Sequence, residues 1–255
     1  MVLATFRFHE ELNDFLPKAR RNLAFSVPCA RAATTKHMIE ALGIPHTEVG
    51  RICVNTEDSG FDRLLQEGDI VEIHPQRAGL ATVGIPSPAP RFIADAHLGG
   101  LARLLRMAGF DTRYRNDYGD RELAALSVRE HRILLTRDRE LLKQRTITHG
   151  CFVHAQQPAQ QLREIVCRLA LQSCMHPFSL CLECNQPLRT VDKQRVLDRL
   201  PPSVRVKQTH FTRCDQCGRI YWPGSHWQRM QRMLQDELIL PSANPAHADR
   251  PNQNV

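Results

Sequence analysis

Two C-x-x-C pairs, Cys181-Leu-Glu-Cys184 and Cys214-Asp-Gln-Cys217, stand 29 residues apart and constrain this chain more than any other feature. Four thiolates at such spacing can close a tetrahedron around zinc, and four protein ligands leave no open position for catalysis. Gly218, directly after the second pair, permits the tight turn that brings backbone amides toward the thiolates. The pattern predicts a small four-cysteine module, zinc-ribbon-like or treble-clef, over residues 177–240. Its metal would contribute folding energy to a segment with little core of its own. The competing reading is two local disulfides or four buried thiols. The chain has nine cysteines, an odd number that leaves at least one unpaired under full disulfide bonding. A reducing, cytoplasmic setting with a metal site fits that count better. Cys29, Cys53, Cys151, Cys167 and Cys174 lie singly, and packing is the expected role of most of them.

No run approaches the roughly 18 apolar residues of a membrane span, so no membrane association is expected. The opening MVLATFRFHEELNDF puts acidic residues where an export signal carries its apolar core, which again suits a cytoplasmic protein. The net charge of +7 is uneven: −2 over residues 1–87, +5 over 88–176 and +4 over 177–255. Most of the excess is arginine, whose planar fork suits phosphate. Many proteins with a comparable excess bind no nucleic acid, so charge alone does not select that partner.

Over residues 1–78 the pattern is strand, strand, helix, strand, strand. ATFRF alternates, Leu23–Val27 is a second strand, and TTKHMIEALG is a helix capped by Thr34 or Thr35 and ended by Gly43. RICVN and the turn-plus-strand EGDIVEIHP complete a β-grasp arrangement. Residues 79–90, rich in Gly, Ala and Pro, read as a linker. From 91 to 176, short apolar strands (RFIAD, DTRYR, RILLT, CFVHA) alternate with helices, which predicts an α/β domain with a parallel sheet. Its first loop, LGG, lacks both glycine-rich phosphate patterns. Trp227–Leu240 reads as a helix, and the polar tail 241–255 as disordered.

In a parallel sheet, Asp95 and Asp138 would emerge at the C-terminal strand edge, where open α/β folds bind ligands. Asp117 and Asp120 lie between the second strand and its helix, on that same edge. Carboxylates converging there need a hard cation to offset their repulsion, and magnesium or manganese is the natural occupant. Helix capping is an alternative role for Asp95, Asp117 and Asp120, and pairing with Arg137 or Arg139 for Asp138. Arg103, Arg106, Arg137, Arg139, Lys143 and Arg145 are candidates for a phosphate track, or equally an ordinary solvated surface. His97 is a candidate for metal or phosphate contact, or for a surface hydrogen bond at a helix start.

With these residues placed, the chain closely resembles the bacterial Mut-seven C-terminal RNase family in its ubiquitin-fused form. RFIADAHLGGLARLLRMAGFDTRY and HRILLTRDRELLKQR resemble the family's two acidic motifs. PFSLCLECNQPL and FTRCDQCGRIYWPGSHWQRM resemble its zinc module. RFHEELNDFLP, KHMIEALGIPHTEVGRICVN and EGDIVEIHP are similar to the attached ubiquitin-like domain, itself related to sulfur carriers. The resemblance implies a PIN-like nuclease domain acting on RNA, with Asp95, Asp120 and Asp138 as the matching acids and Asp117 as a neighbouring candidate. PIN-like sites often add a fourth acid after the fourth strand. Here QQPAQQLRE follows CFVHA, and its first acid is Glu164. Gly100 and Leu180 stand where the family would carry basic side chains.

The leading expectation is therefore metal-dependent hydrolysis of RNA phosphodiesters. The runner-up is a non-catalytic RNA-binding or adaptor protein, which the missing fourth acid favours. Phe178, Phe211, Tyr221 and Trp222 surround the zinc module, with core packing expected for Phe211 and Tyr221. Lys207, Arg213 and Arg219 are its candidate RNA contacts. Sulfur transfer ranks lower, because the carrier chemistry needs a free C-terminal Gly-Gly and here a lone Gly79 precedes a long extension. A docking or regulatory role with a protein partner is the expectation for the ubiquitin-like domain.

Overall fold

The computed structural model describes residues 1–76 and 89–238, and the chain divides into two compact units, Met1–Pro187 and Leu188–Val255. The expected linker lies almost wholly outside the described residues, as do Gly79 and the tail.

The first unit opens with β1 (Val2–Phe8), where Ala4, Phe6 and Phe8 turn inward on alternate positions. β2 (Ala24–Cys29) returns antiparallel beside it. Thr34 caps α1 (Thr35–Ala41), its hydroxyl accepting from His37 N at 3.2 Å, and Gly43 ends the helix region at φ +100°. β3 (Val49–Val54), β4 (Glu57–Ser59) and β5 (Ile70–Pro75) complete a five-stranded sheet in the order β2-β1-β5-β3-β4. β1 and β5 are parallel and the other pairs antiparallel, which makes a ubiquitin-like β-grasp. β4 is additional to the four strands read from sequence. Its three polar residues carry no hydrophobic alternation. Phe6, Phe8, Leu12, Ile39, Ile44 and Ile73 form the centre of this core.

The same unit continues through β6 (Phe92–Ala94), α2 (Gly99–Met107), β7 (Thr112–Tyr114), α3 (Asp120–Arg129), β8 (Ile133–Thr136), the single turn α4 (Arg139–Leu142), β9 (Gly150–Phe152) and α5 (Pro158–Arg168). All three strand pairs are parallel, in the order β7-β6-β8-β9. Every residue of the central strands β6 and β8 is buried, which accounts for their unbroken apolar sequence up to Thr136. The chain leaves β6 for β7 on one side and continues to β8 on the other, so the topological switch point lies between β6 and β8. A Cβ at Gly100 of α2 would lie 2.7 Å from Pro158 Cγ of α5, which explains why no basic side chain stands there.

The β-grasp and the parallel sheet meet along β9. Glu48 Oε1 accepts from Phe152 N at 2.7 Å, and His46 Nε2 lies 2.9 Å from the Ile147 carbonyl. Phe15 meets Phe152 edge-on with centroids 5.1 Å apart.

In the second unit, β10 (Leu188–Val191), β11 (Phe211–Cys214) and β12 (Ile220–Tyr221) form an antiparallel three-stranded sheet in that order. α6 (Pro202–Lys207) precedes β11, and α7 (Ser225–Leu238) follows β12. Val196, Leu200 and Phe211 are its buried apolar cluster, with Trp222 packed against them. Among the described residues, no helix is long and apolar enough to cross a membrane.

Candidate functional site

The Sγ atoms of Cys181, Cys184, Cys214 and Cys217 all lie within 4.8 Å of one another. Tetrahedral zinc at about 2.3 Å from each thiolate places sulfurs roughly 3.8 Å apart, so this donor set fits the metal. The two knuckles repeat one backbone pattern. Cys181 N donates to Gln186 O at 2.8 Å and Asn185 N to Cys181 O at 3.0 Å. In the second knuckle Cys214 N donates to Arg219 O at 3.0 Å and Gly218 N to Cys214 O at 2.8 Å. The turns need a left-handed residue, supplied by Gly218 at φ +70° and by Asn185 at φ +60°. Asn185 was not singled out in the sequence, although asparagine directly after a C-x-x-C pair is a usable sign. Its side chain also anchors the first knuckle: Oδ1 accepts from Thr112 N at 2.9 Å, and Nδ2 donates to Asp111.

Of the five other cysteines, Cys29, Cys53 and Cys151 are buried, Cys174 is half-buried and Cys167 is exposed. Burial pushes the Cys151 thiol up to about 12, so it is a neutral packing group.

The acids of the parallel sheet sit as follows. Asp95 directly follows β6. Its Oδ1 accepts from Ala96 N, starting a short 3-10 turn, and its Oδ2 accepts from the Thr136 hydroxyl at 2.6 Å. Asp138 follows β8 by two residues and caps α4, its Oδ1 accepting from Glu140 N at 2.7 Å and Leu141 N at 3.3 Å. The Asp138 amide donates to Thr136 Oγ1 at 2.9 Å. One buried hydroxyl thus ties both acids to the end of β8, at the switch point, while among the described residues nothing hydrogen-bonds Asp138 Oδ2.

Asp120 is the first residue of α3, exposed, with no side-chain partner among the described residues. Asp117 is paired with Arg115 through two hydrogen bonds of 2.8 and 2.7 Å, and the guanidinium holds its carboxyl below the usual value. Among the described residues, the cysteines are the one group of three or more His, Cys, Asp or Glu whose ligand atoms converge; Asp95, Asp120 and Asp138 do not do so. Glu164, the first acid after β9, is already engaged: its two oxygens accept from His154 N and Ala155 N at 2.9 Å each.

The basic residues divide sharply. Arg106 is buried and donates to the carbonyls of Thr112, Leu182 and Glu183, at 2.9, 3.0 and 2.9 Å, so it holds the first knuckle and is not part of a phosphate track. Its three inward hydrogen bonds were hidden in the sequence behind an ordinary i,i+3 spacing with Arg103. Arg103 pairs with Glu183 at 2.7 Å and Lys143 with Glu140 at 2.7 Å. Arg139 donates to the Phe15 carbonyl at 3.0 Å and lies over the Phe15 ring. Arg137 donates to Gln156 Oε1 at 2.7 Å, and Arg145 is exposed. His97, two residues beyond Asp95, is exposed.

An α/β domain with paired acids at its switch point, a β-grasp before it and a four-cysteine cluster after it define the class. A family model described as Mut7-C RNAse domain matches residues 90–234, and one described as Mut7-C ubiquitin matches residues 1–81. The chain belongs to the Mut7-C RNase family. No curated protein matches it. Two solved structures are similar over the β-grasp: a protein described as molybdopterin converting factor, subunit 1, from Pyrococcus furiosus, and small archaeal modifier protein 1 from H. volcanii. The first is 17% identical, covering 29% of this chain and 98% of its own, with a TM-score of 0.24. The second is 14% identical, with the same coverages and a TM-score of 0.25.

Proposed function

We propose that the chain is a ribonuclease that hydrolyses RNA phosphodiester bonds at the acidic end of β6 and β8, with magnesium or manganese as cofactor. The observation that carries this reading is the Asp95–Thr136–Asp138 arrangement, in which one hydroxyl bonds the Asp95 carboxylate and the Asp138 backbone amide and so keeps both acids at the switch point. Membership of the RNase family supports it. Asp95 and Asp138 would hold the cation; Asp120, at the start of α3, does not converge with them and would join only if that turn moved inward. Hard oxygen donors of this kind suit magnesium or manganese. A cation bound there supplies Lewis-acid chemistry, activating water and offsetting charge on the phosphodiester. In this reading Arg137, directly after β8, and the exposed Arg145 would contribute phosphate contacts, with Arg103 and Lys143 once their surface ion pairs exchange. The zinc site is structural in this reading, since four thiolates leave no open position.

The experiment is RNA cleavage by purified Asp138→Asn protein with manganese supplied. Loss of cleavage with zinc content unchanged is expected; cleavage at the wild-type rate overturns the assignment. One observation favours a second reading, a non-catalytic RNA-binding protein: Glu164 is committed to two backbone amides, so no free acid follows β9 up to α5. RNA binding without metal-dependent turnover across varied substrates would select it.

A further inference from the structure

We propose that the ubiquitin-like domain is a working part of the nuclease site, and that Arg139 is the positioning residue through which Phe15 of that domain sets the Asp138 carboxylate. The inference rests on the reading of Asp138 as a cation-holding acid. α4 is a single turn, Arg139–Leu142, too short to hold its own geometry. Its placement comes from outside. On the sheet side, Thr136 Oγ1 accepts from the Asp138 amide. Leu141 and Leu142 bury the turn in the core of the parallel sheet. Arg139 donates to the Phe15 carbonyl at 3.0 Å and lies 4.9 Å from the Phe15 ring centroid and 5.7 Å from that of Phe152. Asp138 stands in the chain between Thr136 and Arg139, and of the contacts that place α4 the one through Arg139 belongs to a different domain.

That domain is itself firmly seated. Glu48 bonds both Phe152 N and Arg168, and Phe15 packs edge-on against Phe152 and His154, with centroids 5.1 and 5.2 Å away. A Cβ at Gly150 of β9 would lie 3.4 Å from Thr47 Cγ2, so the two surfaces approach closely there. The ubiquitin-like domain therefore reaches the acidic edge through β9 and α4. Loosening a residue that orients a metal-holding carboxylate weakens metal affinity without removing a ligand.

The test is manganese titration of the intact, zinc-loaded chain by calorimetry, comparing wild type with Asp138→Asn, Arg139→Met and Arg139→Lys. Met keeps the apolar stem and removes the donor; Lys keeps a charge and a donor able to reach the Phe15 carbonyl. Arg139→Met should weaken manganese binding by about 10-fold, the lower end of what losing an outer-shell partner costs, and Arg139→Lys should recover most of it. Hydrogen exchange at Phe152 is expected to stay protected in both variants. Wild-type affinity in Arg139→Met, with Asp138→Asn impaired, overturns this inference alone. An Arg139→Lys protein that binds no better than Arg139→Met also overturns it. Equal binding by wild type and Asp138→Asn removes the underlying reading of Asp138, and this inference with it.

Discussion

The Glu48 carboxylate, wholly buried, receives the Arg168 guanidinium at 2.6 Å, joining the β-grasp to α5 across the edge of the parallel sheet. Its other oxygen accepts from Phe152 N, while Arg168 donates back to the Phe152 carbonyl at 2.9 Å. Burial works against the charge on Arg168; Cys151, Glu48 and Glu164 around it outweigh that and raise its pKa above the usual arginine value. The pair satisfies an edge strand that would otherwise present unpaired backbone groups.

Removing one partner of such a pair leaves the other charged and buried. Glu48→Ala is expected to destabilise the Met1–Pro187 unit by about 3–5 kcal/mol. Replacing both residues, Glu48→Leu with Arg168→Met, should cost clearly less than the two single changes added together. Denaturant melts followed by far-ultraviolet circular dichroism measure both. A Glu48→Ala protein as stable as wild type would show that this contact is not held in solution.

Thr136 permits a sharper separation of stability from activity. Its hydroxyl donates to a carboxylate, a bond worth roughly 1.5–3 kcal/mol. Thr136→Val keeps the shape and branching but removes that donor and the acceptor for Asp138 N. It should lower stability within that range and reduce cleavage strongly, because both acids lose their common anchor. Thr136→Ser restores the hydroxyl and should recover cleavage. Full activity in Thr136→Val would show that the hydroxyl does not organise the acids.

Much of this arrangement is legible in the sequence, because strand-then-acid and C-x-x-C are local patterns. The placement of Asp95 and Asp138 at one edge follows from parallel topology, and that topology follows from helices alternating with short apolar strands. What the sequence hides is pairing over long separations. Nothing local in HTEVG marks Glu48 as a partner for Arg168, 120 residues away. Nor does RDREL reveal that Arg139 turns to Phe15, 124 residues back, while Arg137 turns to Gln156. Arg103 and Arg106 look equivalent on a helix, yet one is exposed and the other buried under the first knuckle. The second role of Asp138, capping α4, was also beyond reach because a one-turn helix has no periodicity.

A cluster at the opposite end of the sheet predicts how acid acts. Arg132, buried, bonds Asp111 through two hydrogen bonds of 2.9 Å and Glu130 at 2.7 Å. Burial opposes ionisation of Asp111, but Arg132, Asn185 and Arg91 outweigh it and hold its pKa below the ordinary value. Glu130 is likewise lowered, with Arg132 and Arg113 overcoming its burial. A carboxylate whose pKa is depressed on folding contributes stability that is present above its unfolded pKa and lost as pH falls through the folded one. The Met1–Pro187 unit should therefore be constant in stability above the usual carboxylate range and weaken as pH is lowered through it. Asp111→Asn should flatten that decline. Because Asp111 also receives Asn185, hydrogen exchange in the first knuckle should rise over the same acid range. An acid profile unchanged by Asp111→Asn would remove this cluster as its cause.

The four-cysteine site and the acidic edge should be separable by a single substitution. The Leu188–Val255 unit buries three hydrophobic residues in its described cluster, Val196, Leu200 and Phe211, which is too little to hold such a segment without help. Structural zinc supplies roughly 10–16 kcal/mol in zinc-finger peptides. Cys214 is buried at the end of β11, opposite Leu188 of β10, so its loss removes a ligand and disturbs that strand pair at once. Cys214→Ser is expected to release zinc and make the region from residue 188 onward sensitive to limited proteolysis. The strands β6 to β9 have their own buried residues, and Asp95, Thr136 and Asp138 keep their mutual bonds without any thiolate. RNA binding should weaken, while cleavage at saturating RNA persists. Full zinc content in Cys214→Ser would refute the ligand assignment. Proteolysis that also consumed residues 91–174 would show that the parallel sheet needs the zinc to stay folded.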